Sequence, residues 1–99
     1  MSFRPRLATT IALVLALSAG AADAACYADY KAKMDNPLRL HYGVIELPDA
    51  ACADPRRAAE EIARRIARDG WSLLDVLATF GGEGLGQRQQ SAGDYFLRY

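Results

Sequence analysis

Apolar residues recur every three or four positions between residues 54 and 69, the spacing of one face of an α-helix. This stripe consists of Ala59, Ile62, Ala63, Ile66 and Ala67. Asp54 before Pro55 is a favourable helix start, and Gly70 is a typical helix end. We therefore predict one long helix over 54–69, whose exposed face carries the i,i+4 pairs Glu60–Arg64 and Glu61–Arg65.

A second regular pattern lies between residues 38 and 47, where apolar and polar residues alternate as in a half-buried β-strand. One face of this predicted strand carries Leu38, Leu40, Tyr42 and Val44, and the other carries Arg39 and His41. The alternation changes face after Gly43, which favours a β-bulge. Pro48 ends the strand because it has no backbone N–H group.

Strand-forming residues also dominate 71–80 and 94–99. Both faces of 71–80 are substantially apolar, and three large apolar residues follow one another within 94–99. The glycine-rich stretch 81–93 between these strands predicts a mobile connection, with a short helix around 85–91.

The segment 26–36 has mixed helical character, because Tyr27, Tyr30 and Met34 lie three and four residues apart. Proline disfavours a helix at the residue before it, so we expect the chain to turn or extend at Asn36-Pro37.

The order strand, helix, strand, strand predicts a single α+β domain of the β-α-β-β type with a three-stranded mixed sheet. Strands joined through a helix are normally parallel, with a right-handed crossover, and the last strand then returns antiparallel. We prefer this last strand in the centre of the sheet, with an edge position as the alternative. One helix covers one sheet face, so we expect the N-terminal segment, a partner protein or a second copy to cover the other.

The first 24 residues have the pattern of a cleaved signal peptide. Arg4 and Arg6 precede the apolar stretch 7–22, and small residues flank Asp23 before a predicted cleavage after Ala24. The apolar stretch is shorter than the roughly 20 residues of a membrane-spanning helix, which disfavours an uncleaved anchor. We therefore predict a signal peptide at 1–24 and a domain at 25–99 that is periplasmic or secreted, with no stable membrane insertion after cleavage.

The two cysteines predict a disulfide between Cys26 and Cys52, because an exported domain is oxidised and a small one often needs a covalent link. Closing this loop stabilises the fold by roughly 3.5 kcal/mol in the chain-entropy model. Lipid attachment at Cys26 is an alternative, disfavoured by the charge of Asp23. Metal ligation and a redox pair are also disfavoured, by the wide cysteine spacing and the single histidine, and no metal or cofactor is expected.

Four stretches resemble a group of small exported alphaproteobacterial proteins of unassigned function. They are residues 26–31 (CYADYK), 38–44 (LRLHYGV), 69–74 (DGWSLL) and 92–99 (AGDYFLRY). The order of helix, Gly-Trp, strand and final Tyr-Phe-Leu-Arg also resembles small β-α-β-β domains without an assigned activity. These resemblances imply an exported α+β domain and supply no catalytic residues.

Candidate chemistry centres on His41, the only histidine and the only side chain that ordinarily titrates near neutral pH. In the predicted sheet it neighbours Arg39 and faces Asp75 or Arg98, so these groups form a candidate ligand-binding site. No catalytic set is predicted, since the few serines lie outside nucleophile motifs. The glycines of 81–86 lack the third glycine and the lysine of phosphate-binding loops.

The chain has equal numbers of basic and acidic residues, which disfavours nucleic-acid binding. We predict a non-enzymatic binding or accessory protein whose partner is another envelope protein or a second copy. One alternative is a small enzyme or enzyme inhibitor that uses His41 with Arg39 or Asp75. Another is a structural envelope protein that self-associates.

Overall fold

The computed structural model describes residues 25–99, and the predicted signal peptide at 1–24 lies outside the described residues. The sheet consists of the strands β1 (Cys26–Met34), β2 (Arg39–Leu47) and β3 (Ser72–Phe80). Between β2 and β3 lie the short helix α1 (Asp49–Cys52), the long helix α2 (Pro55–Ile66) and a 3₁₀ turn (Ala67–Asp69). After β3 come a 3₁₀ turn (Gly82–Gly84), the short helix α3 (Gln89–Ala92) and a 3₁₀ turn (Gly93–Tyr95).

The sheet has the order β2-β1-β3, and β1 pairs antiparallel with both neighbours. The predicted α+β class is therefore confirmed, but the β-α-β-β order and the mixed sheet are wrong, because two strands precede the helix. The strands joined through α2 do run in the same direction, as expected for a helical crossover. The strand between them is β1 and not the segment 94–99.

The segment 26–36, which we expected to be partly helical, forms the central strand β1 and then a turn at residues 35–38. Its buried residues on the helix side alternate with period two, and two of the four are alanines, which give a weak strand signal. They are Cys26, Ala28, Tyr30 and Ala32. The helical spacing of Tyr27 and Tyr30 was misleading, since these two residues lie on opposite faces of the strand.

Strand β2 has the predicted bounds to within one residue, but its buried face is the one predicted to be polar. Leu38 and Leu40 are 64% and 66% exposed, whereas His41 and Ile45 are buried. The β1–β2 register is unbroken at Gly43, so the predicted bulge is absent there. Instead, the Tyr30 ring packs directly over Gly43, where an added Cβ would lie 2.6 Å from the ring carbon Cζ.

Helix α2 follows the predicted caps. The Asp54 carboxylate accepts a hydrogen bond from the Arg56 amide, and Gly70 closes the following turn with a φ of 85°. The stripe buried against the sheet is Ala58, Ile62 and Ile66. Of the predicted ion pairs, Glu61–Arg65 is present at 2.8 Å. Arg64 pairs with Glu61 in place of Glu60, at 2.7 Å.

The predicted disulfide joins Cys26 to Cys52 and so ties the start of β1 to the end of α1. Both cysteines border the hydrophobic core, which lies between the sheet and α2. The prediction that a disulfide holds the N-terminal segment is therefore confirmed, although this segment is a sheet strand and not a lid.

The predicted last strand at 94–99 is absent, and the chain after β3 instead covers part of the second sheet face. A 3₁₀ turn and the positive φ of Leu97, 56°, interrupt the extended geometry. A single bridge remains at the outer edge of β2, where the Leu97 amide donates to the Val44 carbonyl oxygen at 2.8 Å. Residues 93–99, called the tail below, thereby cross the β2 edge from the second face to the helix face.

Candidate functional site

The His41 side chain lies on the helix face of the sheet, inside a cluster of aromatic rings that we call the aromatic box. The box consists of Tyr30, Trp71, Tyr95 and Tyr99. The Tyr95 ring stacks on the imidazole at 3.7 Å between centroids and 5° between planes, and the Trp71 ring meets it edge-on at 4.3 Å. His41 is only 8% exposed, so these rings enclose it.

The His41 ring has one hydrogen bond, between Nε2 and the Tyr30 hydroxyl at 3.0 Å. The other ring nitrogen, Nδ1, is buried and has no partner among the described residues. Burial, with a smaller contribution from the Arg98 guanidinium, lowers the pKa of His41 to about 4. Burial also raises the pKa of Tyr30 above its ordinary value. At neutral pH both side chains are therefore uncharged.

The structure brings Arg39 close to His41 but leaves Asp75 on the other sheet face. The Arg39 guanidinium lies over the Trp71 ring at 5.6 Å, on the outside of the aromatic box. Asp75 is in register with Lys31 on β1, whereas the β1 neighbour of His41 is Ala32. Arg39 and His41 thus share one aromatic neighbour, and Asp75 does not join them.

A second polar cluster, centred on Asp29, was not predicted. The Asp29 carboxylate oxygen Oδ2 accepts hydrogen bonds from the Tyr42 hydroxyl at 2.9 Å and from Arg88 Nε at 3.0 Å. Arg88 also donates to the Gly84 carbonyl oxygen at 2.8 Å and lies over the Phe80 ring at 3.9 Å. The cluster therefore joins β1 and β2 to the segment after β3.

Asp29 is only 6% exposed, and its Oδ1 atom has no partner among the described residues. Burial, together with the hydrogen bond to Asp29, raises the pKa of Tyr42 to about 12. A sequence signal for this site exists, because an aspartate within an alternating strand needs a partner if it is buried. Its partner Arg88 is 59 residues away in the sequence, so the pairing itself had no local signal.

An open groove lies on the second sheet face, beside the part that the segment after β3 covers. Its volume is about 270 Å³, and it is lined by Lys31, Ala32, Leu40, His41, Tyr42 and Leu74. Leu40 and Leu74 are 66% and 52% exposed. A larger cavity of about 370 Å³ lies near the end of β2, but its arginine, Arg65, already donates to the main-chain oxygen of Tyr99.

Within residues 25–99, histidine, cysteine, aspartate and glutamate form no group of three that is arranged to hold a metal ion. None of the helices in this part of the chain is long and apolar enough to cross a membrane. No protein-family model, curated protein or solved structure matches the chain.

Proposed function

We propose that this protein is a small exported binding or accessory protein that docks a partner protein in the open groove of its second sheet face. The observation that carries the proposal is the exposure of Leu40 and Leu74 on either side of Lys31. Exposed large apolar side chains that lie together on an ordered surface are typical of protein interaction sites.

Part of the second face supports this interpretation, because the chain after β3 covers it. Val44 is only 1% exposed, and Arg88, just before α3, reaches Asp29 on this face. The chain thus uses its own residues to cover one part of the face and leaves the leucine-lined groove open. The groove has a rigid floor, since Lys31 and Tyr42 are paired residues of β1 and β2.

The charge of the groove indicates the chemistry of the partner. Lys31 is exposed and forms no ion pair with any described residue. An apolar surface that carries a carboxylate group would therefore match the groove in both hydrophobicity and charge.

The disulfide is compatible with an oxidising compartment, and the signal peptide remains a prediction for residues 1–24. The enzyme alternative has less support from the geometry. The imidazole of His41 is enclosed by aromatic rings, and its Nε2 atom is already bonded to Tyr30.

Photo-crosslinking in the producing cell tests the proposal. A photoreactive amino acid replaces Leu40 or Leu74 in the groove, and Leu77, 43% exposed beside α2, provides the matched control position. We expect one and the same adduct from the two groove positions and none from the control position. Adducts with a second copy, or equal adducts from all three positions, would overturn the proposal.

The captured protein is then purified and its affinity measured with surface variants. We expect Leu40→Ser and Leu74→Ser each to weaken binding about tenfold or more, as at interface hot spots, and Lys31→Glu to do the same. Leu77→Ser should bind as the unmodified protein does. An affinity that none of the three groove substitutions changes would exclude this surface.

A further inference from the structure

The tail, residues 93–99, is held on the helix face by aromatic stacking on His41. The rings of Tyr95 and Tyr99 lie nearly parallel to the imidazole, at 3.7 and 6.5 Å between centroids. Neither residue is part of a strand, and the 3₁₀ turn before Phe96 has only three residues. The position of the tail therefore depends on side-chain contacts more than on regular secondary structure.

Three hydrogen bonds supplement this stacking. The Leu97 amide donates to the Val44 carbonyl oxygen at 2.8 Å, and the Tyr99 hydroxyl donates to the Asp69 carboxylate at 2.8 Å. Arg65 Nη1 donates to the main-chain oxygen of Tyr99 at 3.2 Å. Water competes for such partly exposed bonds, so each has a modest net contribution.

The environment of His41 accommodates the neutral imidazole and opposes the charged one. The titratable or charged groups around it are Tyr30 from β1, Arg39 from β2, and Tyr95, Arg98 and Tyr99 from the tail. Arg65 and Asp69 belong to this set because both are hydrogen-bonded to Tyr99. The Asp69 carboxylate is already bonded to the Tyr99 hydroxyl. Two guanidinium groups thus lie on the box, over Trp71 and Tyr95, while no described carboxylate bonds to the imidazole.

The unpartnered Nδ1 atom adds a second cost. An imidazolium ion donates from both nitrogens, but among the described residues only the Tyr30 hydroxyl is hydrogen-bonded to the ring. The second N–H group would be buried without an acceptor unless the box opens. Release of the tail lets water reach this nitrogen and moves Arg98 away.

We infer that the tail is an acid-sensitive latch, which protonation of His41 releases from the aromatic box and from the outer edge of β2. The released form would expose Trp71, Tyr30 and the unpaired main-chain groups of β2, while the disulfide and α2 keep the rest of the domain folded. The proposal concerns the helix face, where the His41 side chain lies, and does not rest on partner binding in the groove.

The size of the effect follows from the two pKa values of His41, about 4 with the tail in place and 6.5, the ordinary value, once water reaches the ring. Proton linkage then weakens closure of the latch by at most roughly 30-fold at pH 5 and roughly 150-fold at pH 4, relative to pH 8. Attraction between the imidazolium and the Tyr95 ring face reduces these factors.

NMR titration of the purified protein from pH 8 to pH 3 tests the latch. We expect the His41 ring to titrate well below pH 6.5, and the Leu97 and Tyr99 amide signals to move to unfolded-chain positions over the same pH range, while α2 keeps its native signals. A tail that stays native after His41 has titrated, or a domain that unfolds as a whole at this midpoint, would overturn the proposal.

Two variants separate His41 from other acid-titrating groups. His41→Phe keeps an aromatic ring that does not titrate, and its tail should show less than a threefold change in closure between pH 8 and pH 4. Asp69→Asn removes the carboxylate but keeps an acceptor for Tyr99, and it should release the tail as the unmodified protein does. A pH-dependent tail in His41→Phe that is lost in Asp69→Asn would assign the response to Asp69 and refute the latch. If His41→Phe does not fold, His41→Gln replaces it, and a tail that still opens in acid in that variant would also refute the latch.

Discussion

The close packing of Tyr30 on Gly43 makes position 43 a sharp test of the fold. A Cβ atom at this position would lie 2.6 Å from both Cζ and the hydroxyl oxygen of Tyr30. Ordinary van der Waals contact begins near 3.4 Å, so the ring or the strand would have to move by about 1 Å. Tyr30 is fully buried and bonded to His41, which leaves the ring little room to move.

We expect Gly43→Ala to lower the free energy of unfolding by about 2–3 kcal/mol, the upper range for overpacking a core. Alanine suits a strand better than glycine by about 0.5–1 kcal/mol, so the steric cost itself is larger than this net value. A domain of this size has a total stability of roughly 4–11 kcal/mol. The predicted loss would lower the melting temperature by about 10–20 °C.

Urea unfolding followed by Trp71 fluorescence and by circular dichroism measures this loss, and an unchanged m-value shows that the two proteins are comparable. Gly82→Ala is the matched control, because no atom lies within 4 Å of its added Cβ and its φ is not positive. The free energy of unfolding of this control should be unchanged or higher by up to about 1 kcal/mol. A free energy of unfolding for Gly43→Ala within about 0.5 kcal/mol of that of the unmodified protein would refute the close packing of Tyr30 on Gly43.

Three further predictions concern the covalent link and the Asp29 cluster. Cys52→Ser should lower the free energy of unfolding in urea by roughly 3.5 kcal/mol, since the disulfide spans 26 residues; a loss below 1 kcal/mol would contradict this. Asp29→Asn and Arg88→Ala should each lower the free energy of unfolding by about 2–3 kcal/mol, and the double variant should lose much less than the sum of the two. Additive losses would show that the pair does not interact. The raised pKa of Tyr42 stabilises the fold fully below pH 10, and this stabilisation is lost as the pH rises toward 12. Tyr42→Phe should therefore be less sensitive to alkali over this range in thermal melts, and equal sensitivity would count against the hydrogen bond to Asp29.

The long helix was predictable from sequence because its determinants are local. The Asp54 cap, Pro55 and Gly70 lie within the segment that they delimit, and the structure uses Asp54 and Gly70 as expected. Ile62 and Ile66 of the predicted stripe are buried, but Ala58 is buried where Ala59 was predicted, and Ala67 is exposed. A row of alanines on a helix carries little information about which one faces the sheet.

The sheet was less predictable, because the side of β2 that faces the core depends on residues elsewhere in the chain. Its alternation suggested a core of Leu38 and Leu40, yet His41 and Gly43 lie inside. Gly43 faces inward because Tyr30 fills the space above it, and His41 because the tail supplies aromatic partners. Neither partner is adjacent in the sequence, so the alternation alone favoured the wrong face.

The sequence singles out His41, but it does not indicate the aromatic rings that surround this residue. His41 is the only histidine of the sequence, but its aromatic neighbours come from β1, from the residue before β3 and from the tail. The prediction placed Asp75 or Arg98 opposite it, because the expected sheet did not contain β1. With β1 in the centre of the sheet, Asp75 aligns with Lys31.

The two buried polar groups of the described residues explain how the chain after β3 keeps its place without forming a strand. Asp29 holds this chain through Arg88 on the second face, and His41 holds it through Tyr95 on the helix face. Each group also has one buried atom without a partner, Asp29 Oδ1 and His41 Nδ1. A buried polar atom without a partner is destabilising, and an added charge makes the cost larger. The contacts that fix this segment are therefore also the ones most sensitive to a change of charge, which is why its release should begin at His41 and leave the sheet and α2 intact.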